Sequence, residues 1–171
     1  ADGDGRTCLN LAEEVLSLIT AATRLIIINS PANPTGGVVS RQEITRLAEG
    51  LLKHPQVAIL SDEIYSHQVY DGVDFTSFLG FPELRDRTII LDGWSKTFAM
   101  TGWRLGFGIW PRHLVDYVKK LITVDHSCTS VATQMAGLAA TTGPMDEIEG
   151  FRRSFQKRRD LVVAGLNDIK G

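Results

Sequence analysis

A short segment in the second half of the chain carries a lysine, a hydroxyl group and an arginine at close spacing. Ser95 directly precedes Lys96, and Arg104 follows between Gly102 and Gly106. A lysine amine forms a Schiff base with an aldehyde, and a guanidinium with a nearby hydroxyl suits a phosphate. The glycines let the backbone approach a bound group closely. The segment therefore predicts a site for a phosphorylated aldehyde that is held covalently at Lys96.

The overall composition is that of an ordinary globular domain. The chain has 171 residues, of which 43% are hydrophobic and 22% charged, with a formal net charge of -2. This charge gives no reason to expect a nucleic acid or an anionic membrane as partner, and no apolar run approaches the roughly 20 residues of a membrane helix. The N-terminus lacks a secretory profile. Cys8 and Cys128 have no spacing typical of a metal site or a disulfide framework, so we expect a cytoplasmic protein.

Short β-branched runs alternate with segments of helical periodicity. Strands are predicted at residues 25–28, 57–61, 88–91 and 104–110, and the first is expected to be buried on both faces. Helices are predicted before Thr20, after a capping box formed by Ser40 and Glu43, after Pro111, before Gly143 and through the C-terminal segment. This pattern predicts an α/β fold with a mostly parallel sheet and helices on both faces.

The candidate site residues follow the ends of the predicted strands. Asn33 follows the first strand, Asp62 ends the second and Lys96 lies just past the third. Parallel strands place their carboxyl ends along one edge, where ligands bind. Only about a dozen residues separate Leu91 from Arg104, too few for a helical crossover. We therefore expect the fourth strand to be antiparallel, which returns Arg104 to the same edge.

Three segments together carry a resemblance to a known family. They read Ser-Pro-Ala-Asn-Pro-Thr-Gly at residues 30–36, Asp-Glu-Ile-Tyr at 62–65 and Ser-Lys at 95–96 leading to Arg-Leu-Gly at 104–106. In their order and spacing the chain resembles the class I/II, fold-type I aminotransferases, which depend on pyridoxal phosphate (PLP). The resemblance extends over nearly the whole chain and implies an amino-group transfer between an amino acid and a 2-oxo acid.

The resemblance also implies a role for each site residue. Lys96 would form the Schiff base with PLP and move the substrate proton, while Asp62 would pair with the pyridine nitrogen. Asn33 and Tyr65 would donate hydrogen bonds to the phenolic oxygen of PLP. Ser95 and Arg104 would hold its phosphate. The Asn33–Pro34 peptide bond would be cis, and no metal is implied.

Two departures from the family are visible, and much of a family member is missing. Gly93 stands where some members carry a serine, and Trp94 is bulkier than expected. Family members are considerably longer, so residues 1–144 are interpreted as part of a PLP-binding large domain, and 145–171 as a helix leading to an absent small domain. The chain alone is expected to bind PLP weakly and to show little transamination, whereas the full-length protein is expected to be a homodimer.

Other readings stay open at this point. A lyase or synthase of the same PLP fold would share these motifs, and a non-catalytic, aminotransferase-like effector-binding domain of a regulator could also retain them. Taken singly, Lys96 reads as a surface lysine and Asp62 as the cap of a turn. The basic cluster at 152–159 is more typical of a solvated helix face than of a nucleic-acid site.

Overall fold

A four-stranded mixed sheet forms the centre of the computed structural model, which describes residues 11–169. The strands are β1 (Leu25–Asn29), β2 (Ala58–Asp62), β3 (Thr88–Gly93) and β4 (Gly106–Ile109), adjacent in that order. β1 pairs with β2 and β2 with β3 in parallel, whereas β3 and β4 are antiparallel. The predicted α/β class and the direction of the fourth strand are therefore confirmed. Cys8 lies outside the described residues.

Among residues 11–169, five helices lie where they were predicted, and a sixth, of one turn, lies between Leu91 and Arg104, where the sequence shows no helical pattern. They are α1 (Leu11–Ser17), α2 (Arg41–Leu51), α3 (Trp94–Thr97), α4 (Val115–Asp125), α5 (Val131–Thr142) and α6 (Asp146–Asn167). Short 3₁₀ helices lie at Phe78–Gly80, Pro82–Arg87, Thr101–Trp103 and Arg112–Leu114. α6 begins close to the predicted boundary at residue 145, but the division into two domains stays a prediction. Within residues 11–169, no helix is both long and apolar enough to cross a bilayer.

The hydrophobic core lies between one face of the sheet and the pair α1 and α2. Ile44 and Leu51 of α2 pack with Ile59 and Ile90, and all four are almost completely buried. Since side chains alternate along a strand, neighbouring positions point to the other face. There Ile27 of the edge strand β1 is 68% exposed, so the expectation that β1 is buried on both faces is wrong for the part of the chain described.

The predicted capping box is only half formed, and its glutamate has another partner. Ser40 Oγ accepts a hydrogen bond from the Glu43 backbone N–H at 3.2 Å, as expected. The buried Glu43 carboxylate accepts the Ala12 backbone N–H at 2.9 Å, one of the amides that α1 cannot satisfy internally. Arg46 Nη1 donates to the same carboxylate at 3.2 Å. Glu43 thus joins the starts of α1 and α2.

Trp94 links the segment after β3 to helix α5. Its indole N–H lies 3.0 Å from the Gly137 carbonyl and 2.9 Å from Thr141 Oγ1, and its ring meets Phe107 edge to face at 5.4 Å. A Cβ at Gly137 would lie 2.3 Å from Leu105 Cδ2, so a larger residue there would require the Leu105 side chain to move. The bulk of Trp94 therefore serves to dock α5 beside the site.

Candidate active site

Asn29 and Asp62 occupy paired positions at the carboxyl ends of β1 and β2. Asn29 Nδ2 donates to Asp62 Oδ2 at 3.1 Å, and the Ile64 backbone N–H lies 3.4 Å from Asp62 Oδ1. Hydrogen bonds to both oxygens fix the orientation of this half-buried carboxylate. Asn29 was not singled out from the sequence, although a polar residue that ends a β-branched run was the available signal.

Asn33 is held in the loop after β1 by the same asparagine. The Asn33 backbone N–H donates to Asn29 Oδ1 at 2.9 Å, and Asn33 Nδ2 donates to the Tyr65 hydroxyl at 3.2 Å. The peptide bonds Ser30–Pro31 and Asn33–Pro34 are both cis, and the second was expected. Asp62, Asn29, Asn33 and Tyr65 thereby form a continuous hydrogen-bonded chain along the sheet edge.

Lys96 lies in the one-turn helix α3, directly after β3, with its side chain half buried. Its Nζ lies 5.6 Å from the centre of the Tyr65 ring, within the range of about 6 Å for a cation–π contact. The Gln68 side-chain amide donates to the Lys96 carbonyl at 3.3 Å. Gln68 was not predicted from the sequence, because no pattern in the polar loop that carries it indicates this contact.

A cavity of about 450 Å³ brings Ser95, Lys96 and Arg104 together. The antiparallel register pairs Gly93 with Gly106, so the chain leaves β3 and returns at the same edge. Arg104 adopts a left-handed backbone with φ of 54°, which is uncommon for a residue with a side chain. Its Nη1 donates to the Thr101 carbonyl at 3.0 Å, and the side chain stays exposed at the cavity wall.

The floor of this cavity leaves no room for a side chain at Gly93. A Cβ there would lie 2.8 Å from the Leu105 carbonyl oxygen and 2.9 Å from Gly106 Cα, both backbone atoms. Backbone this close cannot yield as the end of a flexible side chain can. The close approach of the two strands therefore favours a glycine at position 93.

The predicted residues do not all share one cavity. Asn33 and Tyr65 line a separate cavity of about 640 Å³, which Tyr70 and Arg159 also border. Asp62 lines neither of the two cavities, and it reaches Asn33 only through Asn29. The contact between Lys96 and Tyr65 connects the two halves of the site, as does the hydrogen bond to the Lys96 carbonyl from Gln68, which lines the 640 Å³ cavity.

Two further carboxylates lie close to Asp62. Burial raises the pKa of Asp92 above its usual value, and the negative charge of Asp62 adds to this shift, whereas the Gly93 N–H and His67 oppose it. Burial also raises the pKa of Glu63, against hydrogen bonds that include Ser61 and the Phe78 N–H. Glu63 points away from the site edge and anchors the 3₁₀ helix at Phe78–Gly80, since its Oε1 accepts the Phe78 N–H at 3.1 Å.

The groups around the lysine suit a phosphorylated aldehyde. Lys96 provides the amine, while Arg104 and Ser95 provide a cation and a hydroxyl on the wall of the same cavity. Gly93 also borders this cavity. Among residues 11–169, no cluster of three or more His, Cys, Asp or Glu side chains is arranged to hold a metal ion.

The chain is similar to known proteins over most of its length. The sequence family described as aminotransferase class I and II matches residues 6–171. An aspartate aminotransferase of Rhizobium meliloti is 44% identical over 161 residues, which cover 94% of this chain and 39% of that protein. An aspartate/prephenate aminotransferase of Cereibacter sphaeroides is 42% identical over 163 residues, covering 93% of this chain and 40% of its own length.

A solved structure has the same fold over the shared region. The crystal structure of the aspartate aminotransferase from Rhizobium meliloti superposes with a TM-score of 0.89 at 43% identity, covering 94% of this chain and 40% of that one. The chain thus spans about two fifths of the length of the relatives it matches.

Proposed function

The chain belongs to the class I and II aminotransferases, and on that premise we propose that the complete protein transfers an amino group between an amino acid and a 2-oxo acid. Enzymes of this family generally depend on PLP. The proposal assigns Lys96 as the residue that binds PLP covalently. The observation that carries it is the position of the Lys96 amine, which contacts Tyr65 and shares a cavity with Ser95 and Arg104.

The residues on the sheet edge bind different parts of PLP. Arg104 and Ser95 bind the phosphate of PLP, the arginine through charge-assisted hydrogen bonds. Asp62 pairs with the pyridine nitrogen and keeps it protonated, and Asn29 holds the orientation of its carboxylate. Asn33 and Tyr65 donate hydrogen bonds to the phenolic oxygen, a role that their mutual contact of 3.2 Å supports.

Catalysis then depends on one proton that Lys96 moves. When bound, PLP supplies a cationic ring that withdraws electrons from the α-carbon of the substrate. Lys96 Nζ would act as the general base that takes the proton from that carbon. The Tyr65 ring beside Nζ restricts the positions that the released amine can take.

An acidic amino acid is the substrate class that we propose, because the relatives named above act on aspartate. The complete protein is proposed to be a homodimer, since aminotransferases of this family are typically dimeric. The cytoplasmic location expected from the sequence stays a prediction.

The direct test is covalent labelling. The complete protein is incubated with PLP and reduced with borohydride, and the modified peptide is identified by mass spectrometry. We expect the label on Lys96 and its loss in Lys96→Arg, with Lys53→Arg as a matched control on an exposed lysine. A label on another lysine would refute the assignment.

A second measurement separates the proposed activity from other PLP reactions. The complete enzyme is supplied with aspartate and 2-oxoglutarate, and the products are identified. Formation of glutamate and oxaloacetate supports transamination. Release of ammonia or loss of the side chain without amino transfer would instead indicate a lyase, and labelling without any turnover would indicate an effector-binding domain.

A further inference from the structure

Helix α6 is attached to the site through the loop at residues 65–73. The Asp71 carboxylate accepts Arg159 Nη2 at 2.9 Å and 2.8 Å through its two oxygens, and Gln156 Nε2 at 3.0 Å. The Arg159 guanidinium also lies 5.3 Å from the centre of the Tyr70 ring. We refer to Asp71, Gln156 and Arg159 as the Asp71 clasp.

The tip of this loop is a tight turn that fixes the position of Asp71. Asp71 and Gly72 have φ of 57° and 71°, and the Val73 N–H donates to the Tyr70 carbonyl at 3.0 Å. Positive φ at both central residues is typical of a rigid two-residue turn. A restraint on Asp71 therefore restrains its neighbours as well. Arg152 Nη1 adds a contact to the Val69 carbonyl at 3.2 Å.

The other end of the loop carries groups that contact the lysine. Tyr65 lies beside Lys96 Nζ, and Gln68 donates to the Lys96 carbonyl at 3.3 Å. The Gln68 backbone N–H donates to the Tyr65 carbonyl at 2.8 Å, which joins the two residues in one turn. A continuous path of contacts thus leads from α6 through the loop to the amine and the backbone carbonyl of Lys96.

Arg159 borders the 640 Å³ cavity with Asn33 and Tyr65, which raises the alternative that it binds a substrate anion. Two of its three nitrogens are already engaged, because Nη2 bonds Asp71 and Nε bonds Asp160 Oδ1 at 2.6 Å. The two carboxylates neutralise its charge and raise its pKa, with the Asp71 hydrogen bond as the largest cause. A positioning role fits these contacts better than anion binding.

We propose that the Asp71 clasp is a positioning device that holds Tyr65 and Gln68 against Lys96. This inference rests on the proposed function of Lys96. Because both partners are partly exposed, the clasp is weak compared with a buried pair. Its loss should therefore change the placement of Tyr65 without unfolding the protein.

The variants are Arg159→Met, Asp71→Asn and Arg159→Lys in the complete protein. Asparagine tolerates a left-handed backbone, so Asp71→Asn removes the charge without straining the turn. Arg159→Lys keeps the charge but loses the planar fork and should give an intermediate effect. Arg158→Met is the matched control, since the Arg158 guanidinium lies over Phe155 of the same helix at 5.6 Å.

Hydrogen exchange without PLP gives the first readout. We expect the amides of residues 65–73 to exchange several-fold faster in Arg159→Met and Asp71→Asn, and those of α2 to be unchanged. The Arg158→Met control should match the wild type. Unchanged exchange at residues 65–73 would overturn the clasp, whether or not Lys96 binds PLP.

The absorbance of the PLP-bound protein against pH gives the second readout. A hydrogen bond from Tyr65 to the phenolic oxygen of PLP favours the deprotonated form of the absorbing group that PLP forms with Lys96. Weakening this bond should therefore raise the pKa of that group by roughly 0.3–1 unit. In a Tyr65→Phe background, Arg159→Met should add no further shift. Faster exchange with an unshifted titration would overturn the positioning role. If the wild-type protein shows no PLP absorbance after incubation with PLP, the proposed function is refuted. The hydrogen-exchange measurement would still test the Asp71 clasp in that case.

Discussion

Lys96 Nζ lies 5.6 Å from the centre of the Tyr65 ring, although the two residues belong to different connections between strands. Tyr65 also accepts a hydrogen bond from Asn33 at 3.2 Å. The tyrosine is thereby the meeting point of the loop after β1, the turn after β2 and the helix after β3. Lys96 does not stand alone in an open loop, and its amine has a defined neighbour before any ligand is bound.

Arg104→Gly should separate the phosphate contact from the backbone strain at this position. Glycine accepts a φ of 54° without cost, so the stability of the PLP-free protein should be unchanged or higher. Loss of a hydrogen bond to a charged group costs about 1.5–3 kcal/mol, so affinity for PLP should fall roughly 10- to 100-fold. Fluorescence titration with PLP and thermal unfolding measure the two effects, and Arg112→Gly is the control. Unchanged PLP affinity would contradict the role of Arg104.

Asn29→Ala should weaken PLP binding although Asn29 lines neither of the two cavities of the site. The substitution removes the hydrogen bond to Asp62 and the acceptor for the Asn33 N–H. Each such bond contributes about 0.5–1.5 kcal/mol, so the two together predict a roughly 5- to 100-fold loss of affinity. The same fluorescence titration checks this, with Asn167→Ala at the end of α6 as control. An affinity equal to that of the wild type would show that Asp62 needs no such support.

Glu63→Gln should remove a pH-dependent part of the stability. Burial raises the pKa of Glu63 above its ordinary value of 4.5. The fold therefore favours the protonated carboxyl, and this contribution is present below pH 4.5 and lost as pH rises through the raised pKa. Glutamine keeps an acceptor for Ser61 and Phe78 but does not titrate.

The free energy of unfolding of Glu63→Gln, measured in urea, should therefore increase relative to the wild type as pH rises from about 4.5 to about 7.5. Glu83→Gln, at an exposed position, should show no such trend. A difference between Glu63→Gln and the wild type that stays constant over this range would contradict the predicted shift.

Gly93→Ala should destabilise the protein, whereas Gly102→Ala should not. The added Cβ at Gly93 would lie 2.8 Å from the Leu105 carbonyl oxygen, while at Gly102 it would meet nothing within 4 Å. Overpacking of this kind costs about 1–3 kcal/mol. Thermal unfolding of the two variants provides the comparison, and equal melting temperatures would show that the β3–β4 contact adjusts easily.

The common edge of Asn33, Asp62 and Lys96 could be predicted because each lies at or just after the end of a recognisable strand. The short connection before Arg104 was also sufficient to predict that β4 is antiparallel, since too few residues were available for a crossover helix. The roles of Asn29 and Gln68 were not predicted. A polar residue at a strand end or in a loop has many possible partners, and only the packed structure selects one.

The sequence failed where burial depends on what lies next to a strand or helix. The run at β1 is typical of a strand buried on both faces, yet Ile27 is 68% exposed. A pattern of side chains reports which faces are apolar but not which elements cover them. The hydrogen bond from the Ala12 N–H to Glu43 could not be predicted for a similar reason, because the capping rule describes a single helix and does not consider a neighbouring one.

The sequence by itself determined the types of groups in the site, the order of the strands along the chain and the edge at which the groups meet. These follow from local periodicity and chain connectivity. Only the tertiary structure decided that Asn29 orients Asp62, that Glu63 turns away from the site and that Arg159 reaches Asp71. Those contacts join residues that are far apart in the chain or on opposite faces, so packing geometry fixes them.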